Sequence, residues 1–289
     1  EQLPANPPAT PASEVLGPQK WKPGRQLGQG AFGRVFEALN QDTGEFMAVK
    51  EVRLYGTPLQ VRQRVSALER EISIMGRLRH ANIVKYLGTR RDAHKLFIFM
   101  EVAPKGSVAA IISAYGPLSE EVGRSYTRQC LLGLEYLHNQ LQPVIHRDIK
   151  GANLLLWDNG VAKLGDFGAS KQLNQLSTLS NENKSLIGTP FWMAPEVIRE
   201  SGHGRKADIW SVGCTLIEML RGRPPWSELE NPLTALFQIA STDKLPIMPS
   251  GVSAGCLEFL HVTLERDPVL RPSAEELLTH HWISSSPKT

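Results

Sequence analysis

Gly28-Gln29-Gly30-Ala31-Phe32-Gly33-Arg34-Val35 has the form G-x-G-x-x-G-x-V. Glycines so spaced let backbone N–H groups approach phosphate oxygens, because no side chain stands in the way. A strand follows the loop, whereas a dinucleotide-binding turn would open a helix. The run therefore reads as a flap between two strands. On this motif alone, an ordinary hairpin turn explains it as well. Lys50 ends a strand downstream, where an ammonium can pair with phosphate oxygens. A buried ammonium needs a carboxylate partner. Glu71 lies on the helix face that carries Leu68, Ile72 and Met75, although taken alone it reads as a rim residue among Glu69, Arg70 and Arg77.

His146-Arg147-Asp148-Ile149-Lys150-Gly151-Ala152-Asn153 decides between these readings. A chance match to its five specified positions has a probability of about one in ten thousand for a chain this long, at about 5% usage per residue type. Asp166-Phe167-Gly168 follows a strand-like stretch, and Ala194-Pro195-Glu196 comes later in the same order. With the glycine loop and Lys50, these runs resemble the signature set of eukaryotic protein kinases from about Trp21 to Ile283. The resemblance implies an α+β, bilobal fold. A small antiparallel-sheet lobe with one helix would precede a larger, mainly helical lobe.

The resemblance also implies roles. Phosphoryl transfer needs charge neutralisation, in-line positioning and an acceptor for the substrate hydroxyl proton. Asp148 would be that acceptor, and Lys150 would steady the γ-phosphate of ATP. Asn153 and Asp166 would hold Mg2+ through oxygen ligands, which suit a hard cation. Lys50 would pair with the α- and β-phosphates and be fixed by Glu71. Leu27, Gly28, Gln29, Gly30, Ala31, Phe32 and Gly33 would cover the nucleotide. Val35, Ala48 and Leu155 would sandwich adenine, with Met100 at the back of the pocket. Backbone groups of Glu101 and Val102 would bind its edge. For the apolar members, simple core packing is an equally good account. Asp208 would cap the catalytic-loop backbone, and Glu196 and Arg271 would form a buried ion pair serving stability. An inactive scaffold on the same fold is the alternative, but every residue needed for transfer is present.

The elements that must position these residues are visible as patterns. Arg34–Leu39 alternates polar and apolar, Gln41–Gly44 is a turn, and Glu45–Lys50 completes a hairpin. Apolar residues recur at helical spacing from Leu59 to Leu78. Strands are expected around Val84–Gly88 and Leu96–Val102. Ser119-Glu120-Glu121 starts a helix, Asp208–Leu220 is a buried helix, and Leu257–Leu264 and Ala274–Leu278 are later ones. The expected organisation is a Pro-rich linker over 1–20, a kinase domain over 21–283 and a linker over 284–289. Within the domain the small lobe spans about 21–102, the connection about 101–106 and the larger lobe about 107–283. A cleft between lobes is a common ligand site.

Composition sets the outer limits. The 289 residues are 41% hydrophobic with a net charge of +3, enough apolar content for a large core and too mild a charge for a nucleic-acid binder. No apolar run approaches the roughly 18 residues of a membrane span. Cys130, Cys214 and Cys256 are odd in number and widely spaced, so they read as small buried hydrophobes with free thiols. The chain starts without Met or a signal segment and reads as a fragment, placed in the cytoplasm or the nucleus.

Lys150 after Asp148, with Thr189, fits a serine/threonine pattern. Lys150–Asn153, Gly168-Ala169-Ser170-Lys171 and Gly188–Glu196 resemble mitogen-activated protein kinase kinase kinases. Asn40–Glu45 and Ser201-Gly202-His203 resemble the plant subgroup linked to cell division. That resemblance implies a mitogen-activated protein kinase kinase as substrate, an upstream activator, and a monomer as isolated domain. A kinase one tier higher is the alternative. Ser177, Thr178, Ser180, Ser185 and Thr189 fall between Asp166 and Glu196, a stretch that reads as a mobile loop. Phosphorylation at Ser185, or else at Thr178 or Ser180, would order it against Arg147.

Overall fold

The computed structural model of the chain describes residues 16–285, except 31–32, 93, 168–170, 173–189, 203 and 230. It divides into two units, residues 1–78 with 85–102, and residues 79–84 with 103–289.

The first unit carries a five-stranded antiparallel sheet in the order β1-β2-β3-β5-β4. Its strands are β1 (Trp21–Gly30), β2 (Gly33–Asn40), β3 (Phe46–Arg53), β4 (Tyr86–Arg91) and β5 (Lys95–Glu101), with helix α1 (Pro58–Met75) between β3 and β4. The β2–β3 turn forms where the sequence places it. Asp42 N–H donates to Asn40 Oδ1 at 3.0 Å, and Gly44, at φ +75°, donates to Asn40 O at 2.8 Å. Strand alternation then puts Phe36, Ala38, Met47, Val49 and Phe99 on one buried face, where Trp21 stacks on Phe36 at 5.8 Å. Burying each large side chain contributes about 1.5–3 kcal/mol. Val35, Ala48, Lys50 and Met100 fall on the opposite face, since Val35 pairs with Lys50 and Ala48 with Met100.

The second unit holds helices α2 (Val108–Tyr115), α3 (Glu120–His138), α4 (Pro195–Ile198), α5 (Arg205–Arg221), α6 (Pro232–Ser241), α7 (Ala254–Thr263), α8 (Ala274–Leu278) and α9 (His281–Ser284). Two small ribbons join them: β6 (Val144–Ile145) with β9 (Lys171–Gln172), and β7 (Leu154–Leu156) with β8 (Ala162–Leu164). Ser119 caps α3, its hydroxyl accepting the Val122 N–H at 3.4 Å, and Glu120 and Glu121 complement the helix dipole. Every residue of α5 from Ala207 to Met219 is buried, as its apolar character all round demands. Among the described residues, no helix is long and apolar enough to cross a membrane.

Several boundaries differ in detail from those expected. The small lobe is not continuous over 21–102, because residues 79–84 belong to the second unit. Asn82 Nδ2 donates to Ala162 O at 2.8 Å, and Val84 N–H donates to Leu164 O at 2.9 Å. The fourth strand therefore starts at Tyr86, not Val84. Residues 16–20 are also not a loose linker: Gly17 N–H donates to Thr89 O at 2.9 Å, and Arg90 holds the carbonyls of Pro18 and Gln19. At the other end Ser284 closes α9, and Ser285 Oγ accepts from Arg124 at 2.9 Å. Backbone pairing and hydroxyl bonds are indifferent to the Pro- and Ser-rich composition that suggested linkers.

Candidate active site

Asp148 is the focus of the loop between β6 and β7. Its carboxylate receives Lys150 Nζ at 2.9 and 3.0 Å, one bond to each oxygen. Asn153 Nδ2 donates to Asp148 Oδ2 and to Asp148 O, both at 2.8 Å. Loop residue, cation and amide are thus locked to one another, with Asp148 and Lys150 each about four-fifths buried. Since the Asn153 amide nitrogen is spent on Asp148, its Oδ1 is the atom left to ligate a cation.

Asp166 follows directly. Gly165 N–H donates to Asn153 O at 2.9 Å, which brings the residue before Asp166 against Asn153. Asp166 is exposed, with φ +55°, a conformation uncommon outside glycine. A carboxylate and an amide oxygen on backbone segments joined by that bond fit Mg2+, which prefers hard oxygen ligands and keeps several waters. Phe167 is buried and packs on the His146 ring at 5.0 Å. His146 itself is fully buried. Its Nε2 meets Gly165 O at 3.0 Å, and its Nδ1 accepts Asp148 N–H at 3.3 Å, so the ring braces the loop.

The loop is suspended from α5. Asp208 Oδ2 accepts His146 N–H at 2.9 Å, and Oδ1 accepts Arg147 N–H at 2.8 Å. His138 Nε2 also meets Oδ2 at 2.9 Å. Burial alone would raise the pKa of Asp208. The His138 hydrogen bond and charge, with the other donors, outweigh burial and hold it below the usual carboxylate range. Arg147 adopts φ +70°, so this capping sustains a strained residue next to Asp148.

Glu218, nearly three turns further along α5, holds the other side of the loop. Its Oε2 accepts Gly151 N–H at 2.8 Å and Trp192 Nε1–H at 3.0 Å. A Cβ on Gly151 would lie 2.7 Å from Glu218 Oε1, so any larger residue there displaces the carboxylate that holds the loop. Burial pushes the Glu218 pKa up, against the Gly151 and Trp192 bonds. Farther out, Arg271 forks onto Glu196 at 2.7 and 3.1 Å and also holds Glu265 O and Lys206 O. This is the buried ion pair the sequence suggests.

In the first unit, Lys50 is buried on β3, on the same sheet face as Val35, Ala48 and Met100. Gly33 faces Gly30 across the β1–β2 hairpin at φ +149°, and a Cβ there would meet Glu51 O at 2.0 Å. Glu101 N–H is donated to Lys85 O at 3.0 Å, so any adenine contact from Glu101 falls to its carbonyl. Gly28 is half-buried, Leu27 and Gln29 are exposed, and Val102 follows the end of β5. Leu155, in the second unit, is half-buried between buried Leu154 and Leu156. Ala31 and Phe32 lie outside the described residues, as do the Glu71 side chain and all of Ser177, Thr178, Ser180, Ser185 and Thr189.

Sequence reasoning missed Glu218, His138 and Trp192. A lone acid in the apolar Asp208–Leu220 helix and a lone histidine after Leu134 and Leu137 were the available signals, since buried polar groups need partners.

A glycine hairpin, a buried strand lysine, a braced Asp–Lys–Asn loop and the Asp166-Phe167 pair that follows it define the class of protein kinase catalytic domains. The comparisons agree: residues 21–283 match the model of the protein kinase domain, and the chain belongs to that family. It is 44% identical over 286 residues to mitogen-activated protein kinase kinase kinase 2 of Arabidopsis thaliana, covering 98% of this chain and 44% of that protein. It is 45% identical over 285 residues to mitogen-activated protein kinase kinase kinase ANP1 of the same plant, covering 98% and 42%. Mitogen-activated protein kinase kinase kinase 3 of Homo sapiens is 48% identical over 274 residues, covering 94% and 43%. The chain thus spans less than half the length of these curated relatives.

Proposed function

We propose that the chain transfers the γ-phosphoryl group of ATP to serine or threonine of a mitogen-activated protein kinase kinase. The observation that carries this reading is the Asp148 carboxylate, clamped by Lys150 Nζ at 2.9 Å and Asn153 Nδ2 at 2.8 Å. The relatives' names supply the tier of the cascade. ATP with Mg2+ supplies the transferred group and the positive charge that offsets it. Asp148 accepts the hydroxyl proton at its carboxylate and aims the oxygen. Lys150, already beside that carboxylate, steadies the phosphoryl oxygens. Asn153 Oδ1 and the Asp166 carboxylate would hold the cation, and Lys50 would pair with the nucleotide phosphates. On the first unit's sheet face, Val35, Ala48 and Met100 would line the adenine beside Lys50.

Arg147 supports regulation by phosphorylation of the segment before Glu196. Its Nε is buried and has no hydrogen-bond partner among the described residues. Burial lowers its pKa against the pull of Asp208. A phosphate on Ser185 would supply the anion that this guanidinium accepts.

The test is phosphate transfer from labelled ATP with Mg2+ to a catalytically dead mitogen-activated protein kinase kinase and to a generic basic protein. Label on Ser/Thr of the kinase kinase, absent with Asp148→Asn, is expected. Label on the generic protein alone discards the substrate. No label, with ATP still bound and the segment phosphorylated, favours the scaffold reading.

A further inference from the structure

The end of the second unit holds ligand-type atoms that phosphoryl transfer does not use. Glu258 lies on α7, His280 caps α9 and His281 is its first residue. One carboxylate oxygen and one nitrogen from each imidazole all lie within 4.8 Å of one another, the one such group of three among the described residues. Glu258 Oε1 is 3.9 Å from His280 Nε2, and Glu258 Oε2 is 3.8 Å from His281 Nε2. Both spacings are too long for hydrogen bonds. The two rings stack at 4.5 Å, so their nitrogens reach Glu258 as a pair.

A further observation points to a ligand. His280 Nε2 is buried and has no hydrogen-bond partner among the described residues. Such an orphan calls for an explanation, a missing ion being one. Gly255, one turn before Glu258, leaves the space for the second ring: a Cβ there would lie 2.9 Å from His281 Nε2.

We propose that Glu258, His280 and His281 form a site for a borderline-soft divalent transition metal, Zn2+ being the probe of choice. Both histidines would ligate through Nε2 and Glu258 through its carboxylate, with water in the fourth position. Tetrahedral Zn2+ with bonds of about 2.0–2.2 Å brings its ligand atoms to roughly 3.4 Å apart. The present spacings close to that by turning Glu258 and His281, whose side chains are 61% and 62% exposed. Two imidazoles with one carboxylate favour Zn2+ over Mg2+, which selects oxygen.

Ligation has a stated local cost. His280 Nδ1 now accepts the Trp282 N–H at 3.2 Å, which places the ring proton on Nε2. Binding at Nε2 moves that proton to Nδ1 and gives up the cap bond. The metal then ties the start of α9 to Glu258 on α7.

The experiment is calorimetric titration of ZnCl2 into the chelator-stripped full chain without nucleotide, with imidazole 15N shifts as second readout. One equivalent is expected, with Nδ1 of His280 becoming protonated as it binds and excess Mg2+ failing to compete. Glu258→Gln and His281→Asn should each weaken binding roughly tenfold or more. His280→Asn should do the same while keeping a cap acceptor for Trp282 N–H. Wild-type affinity in the variants, no equivalent in the wild type, competition by Mg2+, or an unchanged His280 tautomer with Zn2+ bound would each overturn the site.

Discussion

The carboxylate of Asp208 and the backbone N–H of Arg147 meet at 2.8 Å, with Asp208 only 1% exposed. Its other oxygen takes His146 N–H and His138. One buried side chain of α5 therefore fixes the backbone on which Asp148 is built. Asp208→Asn keeps the shape but offers one oxygen where two are used. It should cost about 1–3 kcal/mol, the penalty of leaving a buried N–H unpaired. The pKa of Asp208 is lowered on folding, so its contribution is present above the ordinary carboxylate range and lost as pH falls through the lowered value. Urea unfolding at several pH values should show a wild-type acid limb that the Asn variant lacks in part. Equal acid limbs would count against this.

Asp148→Asn should lower kcat by about 10²–10⁴. The variant keeps an oxygen for Lys150 Nζ, so its melting temperature should stay close to wild type. Transfer assays and thermal unfolding on one preparation separate the two effects. A large loss of stability would make Asp148 a structural residue first.

The motif residues were legible because their chemistry fixes residue type and spacing. Gly33 must be glycine to pass Glu51 O, and Asp148, Lys150 and Asn153 must sit within one short loop to bond one another. Local periodicity likewise gave α3, α5, α7 and α8. What was not legible depends on long-range partners. Asn82 binds a carbonyl 80 residues away, and nothing in residues 79–84 announces that they belong with the helical unit. Glu218 looked like one acid in an apolar helix until Gly151 and Trp192 stood against it.

Glu196→Ala should cost about 3–5 kcal/mol, because it strands the Arg271 guanidinium in the interior. Arg271 is 0% exposed and also packs over Trp210 at 5.3 Å. Denaturant unfolding measures the loss. KM for ATP, taken well below the melting temperature, should hold near wild type. A matching loss in KM would move the pair from stability into the site.

The three thiols should be unreactive in the native protein. All are buried, and desolvation pushes each pKa up, that of Cys256 to about 12. A thiolate-selective reagent at neutral pH should label none of them until denaturant is added, then all three. Rapid labelling of any one in native conditions would show that its helix opens locally.

Glu218→Gln tests the raised pKa directly. Both hydrogen bonds end on Oε2, so the single carbonyl oxygen of glutamine can keep the Gly151 and Trp192 donors. What changes is the charge. Wild-type Glu218 holds its proton more tightly folded than unfolded. Its folding stability therefore falls as pH rises from the ordinary glutamate range through the raised value, because the folded chain binds more protons there. Glutamine has no proton to lose, so the variant should lack that decline and equal or exceed wild type near neutrality. Melting temperatures of both proteins from about pH 4 to about pH 8 decide it. Parallel curves would mean that Glu218 ionises as freely in the fold as in the unfolded chain.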